Sequence, residues 1–387
     1  MHSTRDEKKY DVVISGMGPA GLATALELAE EGKSVLIISN REDNFTRKRL
    51  IGLNEKSRWY LYSMAPDKAE RTAEETKFLA LIDRKGSNVA IKNVEKYLRS
   101  QLDRLKSSGK QIDYLFKSEL TEVDLENGKA GVGPVEQNQP LTTKNIEFTY
   151  LIGADGVHRH AFKLLQKTQQ VPDAVEVIHP DSQRVAANHA IYNLIIERKD
   201  GEPISLPNNQ SVFVDNKDAI RFGLFMKMSS YHKSNQISVQ AQATTAYPRE
   251  IEQIEDEEER KQAIKAYIIK RAHHILADIG SPSIEYKLKS ISADNTKKPG
   301  KSFTLFKTKR REASQAAIEL NNHYFIAVGD SVHDPDYRVG EGLPNAIKDA
   351  CSVKKIVTNK MKVAAYNEER IHRAAETRNK LDNSLKL

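Results

Sequence analysis

The chain has 387 residues, a formal net charge of +7 and 39% hydrophobic residues. This length predicts two or three domains, and the balance of apolar and charged residues is typical of a globular protein with a substantial core. No apolar run reaches the ~18 residues of a membrane span, and acidic runs interrupt the lysines and arginines. We therefore expect neither an integral membrane protein nor a nucleic-acid-binding module.

Other features of composition concern compartment and metals. The stretch 1–10 is charged and lacks the apolar segment of a signal peptide. Cys351 is the only cysteine, which fits a reducing compartment, and we expect a cytoplasmic protein. The histidine pairs at 158/160 and 273/274 lack the additional ligands of a metal site, so no metal is expected.

The first forty residues predict a βαβ unit. Residues 10–16 form an apolar strand pattern, residues 22–31 place small and leucine side chains on one helical face, and residues 34–38 form a second apolar strand. Because two strands flank one short helix, this unit is typical of the start of a nucleotide-binding α/β domain.

The turn between the first strand and the helix reads Gly16-Met17-Gly18-Pro19-Ala20-Gly21. This is the G-x-G-x-x-G spacing of a dinucleotide-binding turn, and the flanking strands and helix are the context that supports it. Gly16 permits the tight bend, Gly18 lets a pyrophosphate approach the backbone, and Gly21 lets the helix pack on the strand. We expect a dinucleotide at the start of the helix.

The second strand ends at Ser39-Asn40-Arg41, where this fold usually places an acid that binds ribose hydroxyls. Two explanations are open. An NADP site would use small polar residues and an arginine around the 2′-phosphate, whereas an FAD site would replace the acid by weaker hydrogen bonds. This position alone favours NADP.

The rest of the chain alternates between two patterns. Residues 77–83 predict a strand and residues 89–105 lead into a helix with leucines on one face. Further strands are predicted at 112–116, 120–123 and 146–152. From residue 184 long alternating segments predict an antiparallel sheet, followed by a helix over 250–279.

Two further strands end in small residues and an acid. Gly153-Ala154-Asp155-Gly156 closes one strand, and Asp155 can accept hydrogen bonds from ribose or water. Gly329-Asp330 closes the strand at 324–328 and is followed by Ser331, His333, Gly340 and Gly342.

These three stretches resemble the N-terminal fingerprint, the DG motif and the GD motif of class A FAD-dependent monooxygenases similar to p-hydroxybenzoate hydroxylase. The resemblance covers nearly the whole chain. It implies an α/β fold in which an antiparallel-sheet substrate domain interrupts a Rossmann-like FAD-binding domain, with C-terminal helices. The implied boundaries are 1–74, 92–180 and 295–358 for the FAD-binding domain, 75–91 and 181–294 for the substrate domain, and 359–387 for the C-terminal helix.

The resemblance also implies which residues bind the cofactor. Asp155 supports FAD and the approach of NADPH, Asp330 binds the ribityl chain, and Lys92 stands where the family usually has a flavin-contacting arginine. Tyr366 and Arg370 resemble the family's closing helix. A weaker local similarity links 41–47 and 334–342 to the MICAL monooxygenases. The expected cofactor-binding residues are Gly16, Gly18, Pro19, Ala20, Gly21, Ser39, Asn40, Arg41, Lys92, Asp155, Gly156, Gly329, Asp330, Gly340, Gly342, Leu343, Pro344 and Asn345.

The implied reaction uses FAD, NADPH or NADH, and O2 to hydroxylate a small organic substrate through a flavin hydroperoxide. A flavin-dependent reductase or oxidase without oxygen insertion, and a non-catalytic nucleotide-binding relative, remain open. Basic residues at 47, 49 and 338 favour an anionic or polar substrate. No catalytic residue is assigned, and the candidates near the flavin are Arg47, Trp59, His333 and Tyr337.

Overall fold

The structure is a computed structural model. It describes residues 8–47, 50–83, 88–135, 144–168, 176–178, 188–202, 212–213, 224–230, 236–243, 249–279, 286–290, 303–307, 311–313, 315–333 and 341–386. Two larger sheets organise these residues, one mostly parallel and one antiparallel.

The strands are β1 (Lys8–Ser15), β2 (Val35–Ile38), β3 (Leu50–Gly52), β4 (Asn88–Ala90), β5 (Ile112–Leu115), β6 (Ser118–Asp124), β7 (Lys129–Pro134), β8 (Lys144–Gly153), β9 (Glu176–Ile178), β10 (Asn188–Arg198), β11 (Val212–Phe213), β12 (Leu224–Ser230), β13 (Gln236–Ala243), β14 (Tyr286–Ser290), β15 (Phe303–Lys307), β16 (Arg311–Ala313), β17 (Ala317–Leu320) and β18 (His323–Ala327). The helices are α1 (Pro19–Glu30), α2 (Glu55–Ser63), α3 (Ala73–Asp83), α4 (Ile91–Ser107), α5 (His160–Lys167), α6 (Arg249–Glu252), α7 (Glu257–Ile279), α8 (Gly342–Val357) and α9 (Val363–Lys386).

The mostly parallel sheet has the order β17-β18-β8-β1-β2-β5. β7 pairs with β8 on the edge opposite β1, and β6 pairs with β7. β1 pairs in parallel with both β2 and β8, and β18 pairs in parallel with β8. The carboxyl ends of β1, β8 and β18 therefore meet at one edge, where α/β sheets bind their ligands. We call the crevice at this edge the groove.

The core of this sheet is apolar on both faces. Val12, Val13 and Ile14 of β1 are fully buried, as a central parallel strand requires. On one side α1 packs against α4 and α8. The predicted βαβ unit is confirmed, with α1 three residues longer at its start because Pro19 is well tolerated in the first turn of a helix.

The prediction of a strand at 77–83 is wrong, because this segment belongs to α3. A capping box starts the helix: Thr72 Oγ1 accepts from the Glu75 amide at 3.1 Å, and the Glu75 carboxylate accepts from the Thr72 amide at 2.8 Å. Phe78 and Ile82 are then buried at helical spacing, and Phe78 stacks on Tyr97 of α4. A short apolar run alone does not separate strand from helix.

The second sheet is antiparallel, as predicted, with the order β11-β12-β13-β10-β14 and β15 paired to β10. The predicted helix at 250–279 is divided into α6 and α7. Among the described residues, each helix is too short or too polar to span a membrane.

The last helix closes the fold against the parallel sheet. Tyr366 of α9 is fully buried and donates from its hydroxyl to the Ala327 carbonyl at 2.9 Å. Asn367 accepts from the amides of Ala316 and Ala317 and donates to the Ala317 carbonyl, so it satisfies the backbone at the start of β17. α9 thus contacts the backbone at the start of β17 and at the end of β18, beside the groove.

Candidate functional site

The glycine turn from Gly16 to Gly21 sits at the centre of the groove. Gly16 has φ +114° and donates its amide to the Ile38 carbonyl at 2.8 Å. A Cβ on Gly16 would overlap the Ala154 carbonyl oxygen, and one on Gly21 would overlap the Gly16 carbonyl oxygen. Both positions therefore require glycine, for the bend and for the close approach of helix and strand.

The start of α1 is open for an anion. Gly18 is the N-cap, no side chain caps the helix, and the first turn contains no acidic residue. A Cβ on Gly18 would meet only the end of the Arg47 side chain, at 3.2 Å. The free amides and the helix dipole of such an end favour a phosphate group.

Two arginines and a buried glutamate lie beside this turn. Glu95 of α4 accepts at Oε1 from Arg47 Nε at 3.1 Å, from Arg47 Nη2, and from Arg41 Nη2 at 3.3 Å. Arg41 Nη2 also donates to the Met17 carbonyl at 2.8 Å, which ties it to the glycine turn. Burial lowers the pKa of Arg41, and the nearby Arg47 adds to this effect.

The end of β2 bears on the NADP explanation. Ser39 is buried, and its Oγ accepts from the Arg41 amide at 3.2 Å, while Asn40 is exposed. Arg41 Nη2 donates to the Met17 carbonyl and to Glu95, so these contacts occupy one of the nitrogens that a 2′-phosphate site would use. They favour a structural role of Arg41 beside the glycine turn.

The DG motif joins β1 to the groove. Asp155 accepts from Ser15 Oγ and, at 2.9 Å, from the Ala161 amide at the start of α5. Burial raises the pKa of the Asp155 carboxyl above its ordinary value, although these hydrogen bonds oppose the rise. Gly156 follows with φ +65°, a backbone conformation that favours glycine.

The GD motif meets the DG motif directly. The Gly156 amide donates to Ser331 Oγ at 3.0 Å, and the Val328 amide donates to the Gly153 carbonyl at 2.9 Å. Gly329 has φ +60°, and a Cβ there would lie 2.9 Å from the Ala20 side chain of α1. The three predicted stretches therefore form one continuous site.

The start of α8 completes the groove. A Cβ on Gly342 would lie 3.9 Å from the Asp330 carboxylate, and no side chain caps the helix. Leu343, Pro344 and Asn345 are buried in its first turn. The groove thus has two helix starts without a side-chain cap, α1 and α8, and the acids Asp330 and Glu341 lie beside the second.

A buried charge network holds the GD motif from behind. Asp349 of α8 accepts from the Gly329 amide at 2.7 Å and pairs with Arg370 at 3.0 Å and Arg373 at 2.7 Å. All three charged side chains are at least nine-tenths buried. Sequence reasoning named Arg370 but missed Asp349 and Arg373.

The signal that could have found the missed residues is a charge on an apolar helix face. Glu95 is buried beside Val94 and Leu98, and Asp349 is buried beside Ala350 on α8. A carboxylate at such a position needs a buried partner, so it points to a specific contact.

The remaining predicted site residues occupy different environments. Trp59 of α2 is 68% exposed, and His333 is buried at the end of the GD turn. Lys92 lies in the first turn of α4, and its amide donates to the Arg47 carbonyl at 2.9 Å. Tyr337, Gly340, Arg49 and Arg338 lie outside the described residues. Across the described ranges, no group of histidine, cysteine and acidic residues could hold a metal ion.

Comparison with known proteins assigns the family. Residues 9–380 match the family described as "FAD binding domain". The chain belongs to this family of class A FAD-dependent monooxygenases, and it is an FAD-dependent oxidoreductase. No curated protein matches the sequence.

Solved structures share the fold at low sequence identity. The p-nitrophenol 4-monooxygenase of Pseudomonas putida DLL-E4 is 13% identical, with a TM-score of 0.59 over 96% of this chain and 86% of that one. The myxobacterial chondrochloren halogenase is 14% identical, with a TM-score of 0.58 over 95% and 79%. Aklavinone-11 hydroxylase, solved with FAD and aklavinone, is 14% identical, with a TM-score of 0.55 over 91% and 63%.

The observed groove fits FAD. The open start of α1, the space over Gly18 and the guanidinium of Arg47 suit a pyrophosphate, and Asp330 beside the start of α8 suits hydroxyl groups. The predicted FAD cofactor and the predicted fold class are therefore confirmed. The local similarity to MICAL monooxygenases receives no support from the family or from these structures.

Proposed function

We propose that the protein is a monooxygenase that uses NADPH or NADH and O2 to hydroxylate a small organic substrate on FAD. The observation that carries the proposal is the junction of the glycine turn, the DG motif and the GD motif, shown by the hydrogen bonds from Gly156 to Ser331 and from Val328 to Gly153. Support also comes from fold neighbours named as a monooxygenase and a hydroxylase.

In this proposal, bound FAD supplies the redox chemistry by accepting a hydride and activating oxygen, and the chain supplies binding and orientation. The amides at the start of α1 and the Arg47 guanidinium hold the pyrophosphate. Asp330 would accept hydrogen bonds from ribityl hydroxyls, and the backbone amides at the start of α8 would be available to the flavin. The hydrogen bond from Ser15 to Asp155 would hold the ends of β1 and β8 in place beside the bound cofactor.

The substrate is proposed to be anionic or polar. Arg49 and Arg338 of the sequence support this view, since Arg47 is assigned to the pyrophosphate. The single cysteine supports work in a reducing compartment such as the cytoplasm. The predicted division into domains is retained as part of the proposal.

The test begins with the purified full chain. We expect the protein to bind FAD, and NADPH or NADH to reduce that FAD in the absence of oxygen. When oxygen is readmitted with a suitable substrate, the enzyme should consume reductant and oxygen in equal amounts. The product should gain one oxygen atom from O2, which mass spectrometry with labelled oxygen would detect.

Other outcomes identify the alternatives. Reduction of FAD with product formation that needs no oxygen would favour a reductase. Failure to bind added FAD would favour a non-catalytic relative. Halide-dependent product formation would place the protein with its halogenase neighbours instead.

A further inference from the structure

Glu95 is an unusual feature of the groove because it is a carboxylate with no solvent exposure. One of its oxygens, Oε1, accepts from both Arg41 and Arg47, and the other, Oε2, is buried without a hydrogen-bond partner. A buried carboxylate is costly unless charged donors compensate it. Here the carboxylate lies beside the glycine turn, where Arg41 and Arg47 supply those donors.

The Arg47 side chain shows what Glu95 achieves. Both Nε and Nη2 of Arg47 are held by the same Glu95 oxygen, and Nη2 lies 3.2 Å from the point above Gly18 where a Cβ would stand. The side chain is 44% exposed, so without a partner it would sample many rotamers, and ordering it on binding would cost conformational entropy. Glu95 fixes it over the start of α1.

Arg41 is fixed by the same carboxylate. Its Nη2 bridges Glu95 and the Met17 carbonyl inside the glycine turn. Two guanidinium groups and one carboxylate leave one net positive charge beside an open helix start. This charge and the helix dipole both favour the doubly anionic pyrophosphate.

We propose that Glu95 is a positioning residue for the cofactor, which holds Arg47 over the start of α1 so that the pyrophosphate meets a preassembled guanidinium. The inference rests on the proposed FAD-dependent function. It differs from a plain core ion pair, because a core pair would stabilise the fold without setting the affinity for the nucleotide through Arg47.

Glu75 provides a matched control. It is also a buried helical glutamate, it pairs with Arg104 at 2.7 Å, and its other donors are Thr72 at the start of α3 and Ser100 and Gln101 of α4. Glu75→Gln therefore removes a comparable buried charge without touching Arg41 or Arg47.

The experiment measures FAD affinity of the apoprotein by quenching of flavin fluorescence in four variants: Arg47→Ala, Glu95→Gln, the double variant, and Glu75→Gln. We expect Arg47→Ala and Glu95→Gln each to weaken FAD about tenfold, the loss of one hydrogen-bonded charge contact. The double variant should bind FAD no more than about twofold more weakly than Arg47→Ala does, because Glu95 acts through Arg47. Glu75→Gln should bind as the wild type does.

Arg47→Lys tests the same idea without disturbing the core. Lysine keeps the charge but lacks the fork that contacts Glu95, so we expect it to weaken FAD nearly as much as alanine. The inference would be overturned if the losses of FAD affinity in Arg47→Ala and Glu95→Gln multiplied in the double variant, or if Arg47→Lys bound FAD as the wild type does. The proposed function would remain intact in either case. Absence of FAD binding by the wild type would overturn both.

Discussion

The starts of α1 and α8 lie side by side, since a Cβ on Gly329 would meet both Ala20 of α1 and Ala346 of α8. Their construction differs. The start of α1 is shaped by the absence of side chains at Gly16 and Gly21, whereas the start of α8 is held from behind by the buried charges of Asp349, Arg370 and Arg373. The α1 end therefore has no room for an added atom at Gly16 or Gly21, whereas the α8 end depends on its buried charges.

The strongest test removes the charge at the α8 end. Asp349→Ala leaves Arg370 and Arg373 buried without their carboxylate, and breaking such a network costs about 3–5 kcal/mol of unfolding free energy. Urea denaturation measures the loss. Glu369→Ala is the control, because this partner of Arg373 is 36% exposed and should cost less than about 1 kcal/mol. Equal losses in the two variants would contradict the contrast.

The next test adds one atom at the α1 end. Gly21→Ala drives a Cβ into the Gly16 carbonyl, so we expect a loss of about 1–3 kcal/mol and weaker FAD binding. Gly18→Ala meets only a flexible arginine end, so its stability should change by less than about 1 kcal/mol while its FAD affinity falls. Thermal unfolding measures the stability of the two variants, and FAD titration measures their affinity. Similar stability of Gly21→Ala and Gly18→Ala would refute the steric account.

A smaller effect is expected where α9 supports the last strand. Tyr366→Phe removes the hydroxyl that donates to the Ala327 carbonyl and should cost about 1 kcal/mol. Burial raises the pKa of this hydroxyl, so the loss should be the same at neutral and moderately alkaline pH. A loss that disappears within that range would count against the hydrogen bond.

The smallest effect on the groove is expected from Glu75, which belongs to neither end. Burial raises its pKa, but hydrogen bonds from Arg104, Thr72 and Gln101 outweigh burial and lower the pKa from 4.5 to about 2. Its contribution to stability is therefore complete above pH 4.5 and is lost as the pH falls through about 2. The stability difference between wild type and Glu75→Gln should shrink over that window, without a change in FAD affinity at neutral pH.

The contrast between the two ends also explains what the sequence could predict. Gly16, Gly18 and Gly21 act through local geometry, and their spacing between a strand and a helix is visible in the sequence. The DG and GD turns are visible for the same reason. In α3 the apolar run was ambiguous, and the capping box at Thr72 and Glu75 was the local signal that decides it.

The charged contacts behind the groove could not be predicted in the same way. Asp349 meets Arg373 only after α8 and α9 have packed, and Glu95 meets Arg41 across two different elements. Pairing of this kind depends on tertiary distance, which no sequence periodicity encodes. A buried charge on a helix face indicates that a partner exists, but not which residue it is.

The strand order of the parallel sheet has a consequence for biosynthesis. β1 precedes the other strands of this sheet in the chain, whereas its neighbour β8 ends at Gly153 and the next strand, β18, begins at His323. The helix that supports β18 through Tyr366 follows all of these strands. The flavin nucleotide can therefore be captured only after α9 has left the ribosome, and nascent chains that stop before α9 should remain colourless.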